Sequence, residues 1–319
     1  MLTPEKISDL VSDAVASIPY PAEPARLYQP IAYTLESGGK RLRPMLAVAT
    51  CSALGGEVSK VIDAATGIEV YHNFTLLHDD VMDRADLRRG QLTVHKRWDD
   101  NTAILSGDAM LTLATMMIAK APAEVMPEVL DLFNKTAMEI YEGQQMDMDF
   151  ENRNDVTVKE YMEMIRLKTS VLLGCACRTG AIIAGASQQT AQAFYDYGVN
   201  LGLAFQLRDD WLDTYGDPLV FGKQIGGDII NGKKTWLLIN ALTELRQELC
   251  DILAEDLDDE ERVSQVRAVY DRLKLDERCH SLIADYARRA VSALDAVKLD
   301  DDARQYFTSL AVKSIDRTH

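Results

Sequence analysis

Apolar residues recur at spacings of three and four along most of this 319-residue chain, which is the period of an amphipathic α-helix. Clear examples are Ile7-Val11-Val15, Val61-Ala65-Ile68, Ala109-Leu113-Met116-Met117 and Tyr197-Leu201-Ala204. Alternating β-branched runs, which would indicate strands, are almost absent. The stretches 171–186 and 199–207 are apolar on most sides, which is typical of helices in the middle of a bundle. The sequence therefore predicts an all-α fold.

The helical pattern runs on without a linker, a low-complexity segment or a repeat of fixed period. The nine prolines fall mostly where helices are expected to begin or end. A chain of this length can bury a large core without disulfides or metal staples. We therefore expect residues 1–319 to form a single domain, a large helical bundle.

The charge balance excludes several classes of protein. The chain has 34 Lys and Arg against 50 Asp and Glu, a net charge of −16, so neither a nucleic-acid partner nor electrostatic attachment to anionic lipid is expected. No stretch reaches the roughly 18 apolar residues of a membrane span, and the N-terminus does not resemble a secretory signal. Five cysteines, without zinc-site spacing, fit a reducing cytoplasm.

Two aspartate-rich segments carry the most distinctive chemistry, Asp79-Asp80-Val81-Met82-Asp83 and Asp209-Asp210-Trp211-Leu212-Asp213. Asp79 and Asp83 are four residues apart, so on a helix they share one face, and two like charges there repel without a cation. Magnesium prefers oxygen ligands and joins one or two carboxylates to phosphates. A solvated surface is the alternative, but both segments are flanked by core-type residues. The candidate metal ligands are Asp79, Asp80, Asp83, Asp209 and Asp213.

Basic residues in this acidic chain are concentrated near those segments. The segment 38–44, Gly-Gly-Lys-Arg-Leu-Arg-Pro, places three cations after two glycines that allow close backbone approach to a ligand. Arg88-Arg89-Gly90 begins five residues after Asp83, about one and a half helical turns. Lysines at 168, 223, 233 and 234 precede or follow the second segment. Each group is a weak signal alone, but together they indicate binding of phosphorylated substrates.

These motifs, in this order from Gly38 to Lys234, resemble the trans-type (head-to-tail) isoprenyl diphosphate synthases, also called polyprenyl synthetases. The resemblance implies the isoprenoid synthase fold, an all-α bundle around a deep central cavity, and usually a homodimer. It also implies Mg²⁺ as cofactor. The reaction it implies is condensation of isopentenyl diphosphate with an allylic diphosphate.

The same resemblance implies a role for individual residues. Contacts to isopentenyl diphosphate are implied for Lys40, Arg43, His72 and Arg89. Contacts to the allylic diphosphate are implied for Arg88, Lys168, Thr169, Gln206, Lys223 and Lys233, with Gln144 and Asp147 lining that site. Whether Lys233 or Lys234 reaches the phosphate stays open. A buried core histidine is the alternative for His72, and His78 is interpreted as structural.

Product length is expected to depend on the residues just before Asp79. Phe74 stands five residues before it and Thr75 four, while Tyr71 contributes to the floor of the cavity by the same resemblance. The resemblance implies that one aromatic residue at these two positions favours a twenty-carbon product, with fifteen carbons close behind and longer chains as a further alternative. Ordinary core packing is the other interpretation of Phe74.

Two other classes of protein compete with the synthase interpretation. A non-catalytic regulatory subunit would be expected to have lost Asp or Arg from the motifs, and this chain keeps them. A class I terpene cyclase or a head-to-head synthase would share the metal site but would not bind isopentenyl diphosphate. The cations at Lys40, Arg43, Arg88 and Arg89 favour a second diphosphate substrate.

Overall fold

Strong helix formers dominate the sequence, and the all-α prediction is confirmed by the computed structural model, which describes residues 1–216 and 225–316. The α-helices are α1 (Pro4–Ala16), α2 (Ala25–Glu36), α3 (Leu42–Ala53), α4 (Ile62–Met82), α5 (Val94–Arg97), α6 (Asp100–Ile118), α7 (Met126–Glu151), α8 (Val158–Ile165), α9 (Val171–Ile183), α10 (Gln188–Tyr215), α11 (Gly227–Ile230), α12 (Trp236–Glu244), α13 (Arg246–Ala254), α14 (Asp259–Arg272), α15 (Leu275–Ala293) and α16 (Asp301–Asp316). A 3₁₀ turn (Val58–Lys60), a π-helical segment (Arg166–Ser170) and two short strands, β1 (Leu87–Arg88) and β2 (Gln91–Leu92), complete the regular structure of the described residues.

Several helices begin at side chains that satisfy the otherwise unpaired N–H groups of the first turn. Thr3 caps α1, Asp99 caps α6 and Asp258 caps α14. At α8, Thr157 and Glu160 form a reciprocal capping box. In the part of the chain that the structure describes, no helix is long and apolar enough to cross a membrane.

The first of two compact units comprises Met1–Asn134 and Cys175–Phe194. Helix α4 packs along α6 and also contacts α3 and α1, and its buried face runs from Ala64 to Leu77. His78 lies at the α4–α6 contact, where its Nε2 is 3.1 Å from the Ile104 carbonyl oxygen, in agreement with a structural role.

The second unit comprises Lys135–Gly174 and Tyr195–His319. Its core includes the fully buried rings of Tyr161, Tyr197, Tyr270 and Phe307, and the Tyr197 hydroxyl donates to the Phe307 carbonyl at 2.8 Å. The unit boundaries fall inside α7, α9 and α10, so these three helices contribute residues to both units. The apolar stretch 171–183 is buried except at residue 178, and 201–204 is buried throughout, as expected for helices inside a bundle.

Candidate active site

The first aspartate motif lies at the C-terminal end of α4. The helix ends at Met82, and Asp83 caps it with a backbone N–H that donates to the Asp79 carbonyl at 2.8 Å. Asp79 and Asp83 are therefore one helical turn apart, as the sequence predicts. Asp80 is offset from them and buried, with 5% of its surface exposed.

Arg88 neutralises that buried carboxylate. Its Nε is 2.8 Å from Asp80 Oδ1 and 2.9 Å from Oδ2, and its Nη2 is 2.7 Å from Oδ1. Bidentate pairs of this kind fix the plane of the guanidinium group as well as its position. The sequence predicts Asp80 as a metal ligand and Arg88 as a contact to the diphosphate. In the structure these two side chains form an ion pair with each other, and both belong to the first unit.

The arginine pair lies on a β-hairpin and not on a continuation of α4, so the helical spacing expected for it is wrong. Leu87 pairs with Leu92 and Arg88 with Gln91, and the two-residue turn between them is Arg89-Gly90. Both turn residues have positive φ, 53° and 76°, the conformation that matches the twist of two-residue hairpins. A residue followed by glycine between two short extended pairs was the sequence signal for this hairpin.

The hairpin turn brings Arg89 to the loop that contains Gly38 and Gly39. Its Nη1 donates to the Gly38 carbonyl and, at 3.2 Å, to the Ser37 hydroxyl. Gly39 has φ of 133°, and a Cβ built there would lie 2.8 Å from Arg89 Nη2. Position 39 favours glycine, because L side chains rarely adopt a φ of 133°.

The same loop leads into the N-terminus of α3. Arg41 adopts a left-handed conformation, α3 begins at Leu42, and Arg43 lies in its first turn. The N–H groups and dipole of a helix N-terminus favour anions. Arg43 Nε is buried without a hydrogen-bond partner in the described part of the chain. Burial lowers the pKa of Arg43 to about 10, an effect that Glu69 opposes.

His72 lies among these cations. Burial and the charges of Arg43, Arg89 and Arg88 hold the pKa of His72 well below its usual value, so the ring is neutral near pH 7. A neutral imidazole can still donate one hydrogen bond to a phosphate oxygen. The four side chains that the resemblance implies for isopentenyl diphosphate (Lys40, Arg43, His72 and Arg89) all belong to the first unit.

Sequence reasoning missed two polar residues on the same helix. Glu69 is 3% exposed and Asn73 is 2% exposed, and Asn73 Nδ2 donates to Glu69 Oε1 at 3.0 Å. They belong to no motif, and their signal was only an acid and an amide, four residues apart, in an apolar helix. Asn73 also lines an open cleft of about 350 Å³, together with Tyr33, Thr34, Ser37, Leu76, Leu77, Asp80, Arg88, Arg89, Gln91, Leu92, Thr93 and Val94.

The second aspartate motif lies near the C-terminal end of α10. Asp210 is 4% exposed, and its two oxygens accept hydrogen bonds from the Tyr161 hydroxyl and, at 3.0 Å, from Gln206 Nε2. Burial, with the nearby charge of Asp228, raises the pKa of Asp210 to about 7. Asp209 and Asp213 are only half-buried, and Asp213 Oδ2 accepts the backbone N–H of Asp228 at 2.9 Å.

The predicted allylic contacts converge on the π-helical segment between α8 and α9. Lys168 Nζ is 2.6 Å from Asp147 Oδ2, and Thr169 Oγ1 is 3.1 Å from Gln206 Oε1. A Cβ at Gly143 would lie 2.4 Å from the Lys168 backbone nitrogen, so glycine allows α7 to approach this segment closely. Single π turns of this kind occur frequently at functional sites. Gln144 is half-buried on α7.

Lys233 lies among carboxylates of the second unit. Its Nζ is 3.7 Å from Asp228 Oδ1, and the charges of Asp228, Asp210, Asp147 and Asp213 outweigh burial and raise the pKa of Lys233. Lys234 instead donates to the Gly232 carbonyl at 3.0 Å. Of the two lysines, Lys233 is therefore the one placed beside the predicted site residues. Lys223 lies outside the described residues.

The predicted chain-length residues belong to the core of the first unit. The rings of Tyr71 and Phe74 have centroids 5.4 Å apart, and Tyr71 also packs on Phe133 at 5.1 Å. Phe74 is 5% exposed and contacts His78. Thr75 is half-buried, with its hydroxyl donating to the His72 carbonyl at 2.8 Å.

The donor chemistry fits magnesium. Each motif offers carboxylates one helical turn apart, and Mg²⁺ typically takes one or two protein carboxylates with substrate phosphates and water as its other ligands. Within residues 1–216 and 225–316, no three His, Cys, Asp or Glu side chains are close enough to hold a metal by themselves.

Comparison with known proteins gives one consistent result. A family model described as Polyprenyl synthetase matches residues 24–272. A short chain isoprenyl diphosphate synthase of Methanothermobacter thermautotrophicus is 36% identical over 320 residues, which cover 99% of this chain and 95% of that protein. A geranylfarnesyl diphosphate synthase of Natronomonas pharaonis is 36% identical over 98% of this chain and 96% of its own length. A crystal structure of a geranylgeranyl pyrophosphate synthase aligns with a TM-score of 0.95 at 40% identity, covering 100% of both chains.

Proposed function

This chain belongs to the polyprenyl synthetase family, and on that premise we propose that it condenses isopentenyl diphosphate with an allylic diphosphate to give geranylgeranyl diphosphate. The observation that carries the proposal is the cluster of Arg43, Arg88 and Arg89 around a neutral His72, next to the stacked carboxylates Asp79 and Asp83. In a chain of net charge −16, such a cluster marks an anion site.

The residues of the first unit are assigned to isopentenyl diphosphate. Arg43 and Arg89 present planar guanidinium groups to the diphosphate, and Lys40 adds a point charge. His72 donates a hydrogen bond from its neutral ring, whose protonation the surrounding arginines disfavour. These contacts orient the homoallylic substrate so that its double bond faces the reacting carbon of the primer.

The residues of the second unit, together with Arg88, are assigned to the allylic diphosphate. Lys168, Lys233 and Lys223 supply positive charge, and Thr169 and Gln206 supply directed hydrogen bonds. Asp79, Asp83 and Asp209 are the proposed Mg²⁺ ligands, with Asp80, Asp213, Gln144 and Asp147 as further candidates for the metal and diphosphate environment. When bound, the metal would neutralise the diphosphate as the allylic C–O bond breaks.

The reaction follows from these charges. The C–O bond of the allylic substrate breaks, and the diphosphate leaves with the bonding electrons toward Arg88, Lys168 and Lys233, whose positive charges stabilise it. The double bond of isopentenyl diphosphate attacks the resulting allylic cation to form a C–C bond. A proton is then lost to the departed diphosphate, which restores a double bond. No nucleophilic side chain is required.

The test is an elongation assay. Labelled isopentenyl diphosphate, an allylic primer and Mg²⁺ are incubated with the protein, and the diphosphate products are identified by chromatography and mass spectrometry. Elongated prenyl diphosphate is expected, with twenty carbons as the main length. A protein that consumes the primer without isopentenyl diphosphate would be a cyclase, and one that is inactive alone but activates a partner synthase would be a regulatory subunit.

Product length is proposed to depend on Phe74. The side chain is buried against Tyr71 and His78, and removing it opens space five residues before Asp79. Phe74→Ala is expected to lengthen the product beyond twenty carbons and to lower the free energy of unfolding by about 3–5 kcal/mol. Mass analysis of the products decides the first effect and urea denaturation the second. Unchanged chain length in a folded variant would assign Phe74 to core packing alone.

Further proposals concern the setting in which the enzyme works. We propose that residues 1–319 act as a single synthase domain and as a homodimer. The dimer is supported by apolar side chains exposed on α6, where Ile104, Leu105 and Met116 have 45%, 60% and 62% of their surface exposed. The proposed location is the cytoplasm, which fits five cysteines without zinc-site spacing.

A further inference from the structure

Glu69 is a buried carboxylate that the proposed mechanism does not use. It lies on α4 three residues before His72 and is 3% exposed. Oε1 accepts a hydrogen bond from Asn73 Nδ2 at 3.0 Å, whereas Oε2 is buried without a hydrogen-bond partner among the described residues. A buried carboxylate of this kind is costly unless positive charge stands nearby.

The positive charge near Glu69 comes from two separate elements. Arg41 and Arg43 belong to the start of α3, and Arg89 belongs to the hairpin turn. Burial raises the pKa of Glu69, and the charges of Arg43, Arg89 and Arg41 oppose that rise. In return, Glu69 opposes the lowering of the pKa of both Arg43 and Arg89. Asn73, which donates to Glu69, lines the same cleft as Arg89, so Glu69 is the counter-charge that these arginines share at this cleft.

The contact differs from the one between Asp80 and Arg88. Asp80 engages Arg88 directly, through Nε and Nη2. No hydrogen bond or ion pair in the described part of the chain joins Glu69 to Arg43, whose buried Nε has no partner there. Glu69 thus offsets the repulsion between the guanidinium groups without occupying the donors of Arg43.

From this arrangement we infer that Glu69 is a positioning residue, a buried counter-charge that gathers Arg41, Arg43 and Arg89 into one diphosphate-binding group before the substrate arrives. The inference rests on the proposed function and adds a residue outside the family motifs quoted above. It acts on isopentenyl diphosphate only, because Arg43 and Arg89 are the arginines assigned to that substrate.

Glu69 has two opposing electrostatic effects on diphosphate binding. The direction in which its removal changes the KM shows which effect is larger. A negative charge near the site also repels the diphosphate, so if repulsion alone mattered, removing it would tighten binding. If positioning dominates, removing it lets the arginines move apart, and binding weakens because the site must be assembled again. The direction of change in KM therefore separates the two.

The experiment compares Glu69→Gln with Asp63→Asn, a substitution of an exposed acid on the same helix whose partner is Lys120. In Glu69→Gln, the KM for isopentenyl diphosphate is expected to rise about tenfold, because the arginines lose their shared counter-charge and must be ordered on binding, while the KM for the allylic primer stays within about twofold. Asp63→Asn is expected to leave both unchanged. A KM for isopentenyl diphosphate that is unchanged or lower in Glu69→Gln would overturn the inference.

Coupling to Arg43 provides the second readout. If Glu69 acts through Arg43, the double variant Glu69→Gln/Arg43→Lys should bind isopentenyl diphosphate no more weakly than Arg43→Lys alone. Additive losses would contradict positioning. Glu69→Asp, which keeps the charge, is expected to restore part of the affinity. Should the Gln variant not fold, Asn73→Ala removes the hydrogen bond to Glu69 and is expected to raise the same KM by a smaller factor.

The proposed function and this inference can fail separately. If the wild-type protein elongates the primer and Glu69→Gln behaves like wild type, only the inference fails. If the wild-type protein does not elongate it, the proposed function fails, and calorimetric titration with inorganic diphosphate still tests Glu69. Weaker binding of inorganic diphosphate by Glu69→Gln than by wild type supports the inference, and equal or tighter binding overturns it.

Discussion

The two aspartate motifs have aspartates at the same three positions, but the chemistry around their buried carboxylate differs. In the first, Asp80 is neutralised by the charged guanidinium of Arg88. In the second, Asp210 is held by two neutral donors, the Tyr161 hydroxyl and the Gln206 amide. Asp80 therefore pairs with a guanidinium cation, whereas Asp210 orients an amide. The two motif sequences alone do not reveal this difference.

The charges that surround the two motifs also differ. Arginines dominate around His72 and depress its pKa, whereas four carboxylates surround Lys233 and raise the pKa of that lysine. The first unit thus offers an anion site built from protein charge. The second unit accumulates negative charge, and we therefore expect it to depend more on a bound cation when it accepts a diphosphate.

The largest effect is expected where a proposed metal ligand is removed. Asp209→Asn should lower kcat by about 10²-fold or more, because the metal contributes several kcal/mol of charge stabilisation in the transition state. The Mg²⁺ concentration for half-maximal activity should also rise. Steady-state rates across a magnesium titration measure both, with Asp196→Asn, an exposed acid on the same helix, as control.

The matching variant Asp79→Asn sharpens the comparison. If the second unit depends more on the cation, the magnesium requirement should rise further in Asp209→Asn than in Asp79→Asn. If the magnesium requirement rose equally in the two variants, the two units would not differ in their dependence on the cation. If either variant kept the wild-type rate at low magnesium, that aspartate would be excluded as a metal ligand.

A second, smaller effect is expected from the arginine-rich unit. Arg43→Gln removes a guanidinium group from the first turn of α3 and should raise the KM for isopentenyl diphosphate about 10- to 100-fold, the range for hydrogen bonds to charged groups. The magnesium requirement should stay unchanged. Lys120→Gln, at an exposed lysine, is the control. If the magnesium requirement changed in Arg43→Gln, this would contradict the interpretation that the first unit binds its anion through protein side chains.

Much of the fold and site could be predicted from the sequence, because helical periodicity and motif order are local signals. The all-α class was predicted correctly, and Lys168, Thr169, Gln206 and Asp147 are close together as expected. The hairpin was missed because a single Arg-Gly turn interrupts the helical pattern for only a few residues. The partners of buried polar groups could not be predicted, since Tyr161 lies 49 residues before Asp210. The role of Glu69 could not be predicted from its local signal either, because that role depends on charges from α3 and the hairpin.

The smallest effect is expected at Tyr161, and it tests the neutral half of the comparison. Tyr161→Phe removes one of the two donors to Asp210 while the ring still fills the core. A buried acceptor left without its donor costs about 1–3 kcal/mol, which urea denaturation will show as a lower free energy of unfolding. Gln206 keeps its own hydrogen bond to Asp210, so the KM for the allylic primer should rise only about two- to fivefold.

The magnesium requirement of Tyr161→Phe separates orientation from metal binding. If Asp210 only orients Gln206, half-maximal activity should occur at the wild-type magnesium concentration, unlike in Asp209→Asn. A raised requirement in Tyr161→Phe would instead make Asp210 a participant in metal binding. The second motif would then differ from the first in metal binding as well, because Asp80 is paired with Arg88.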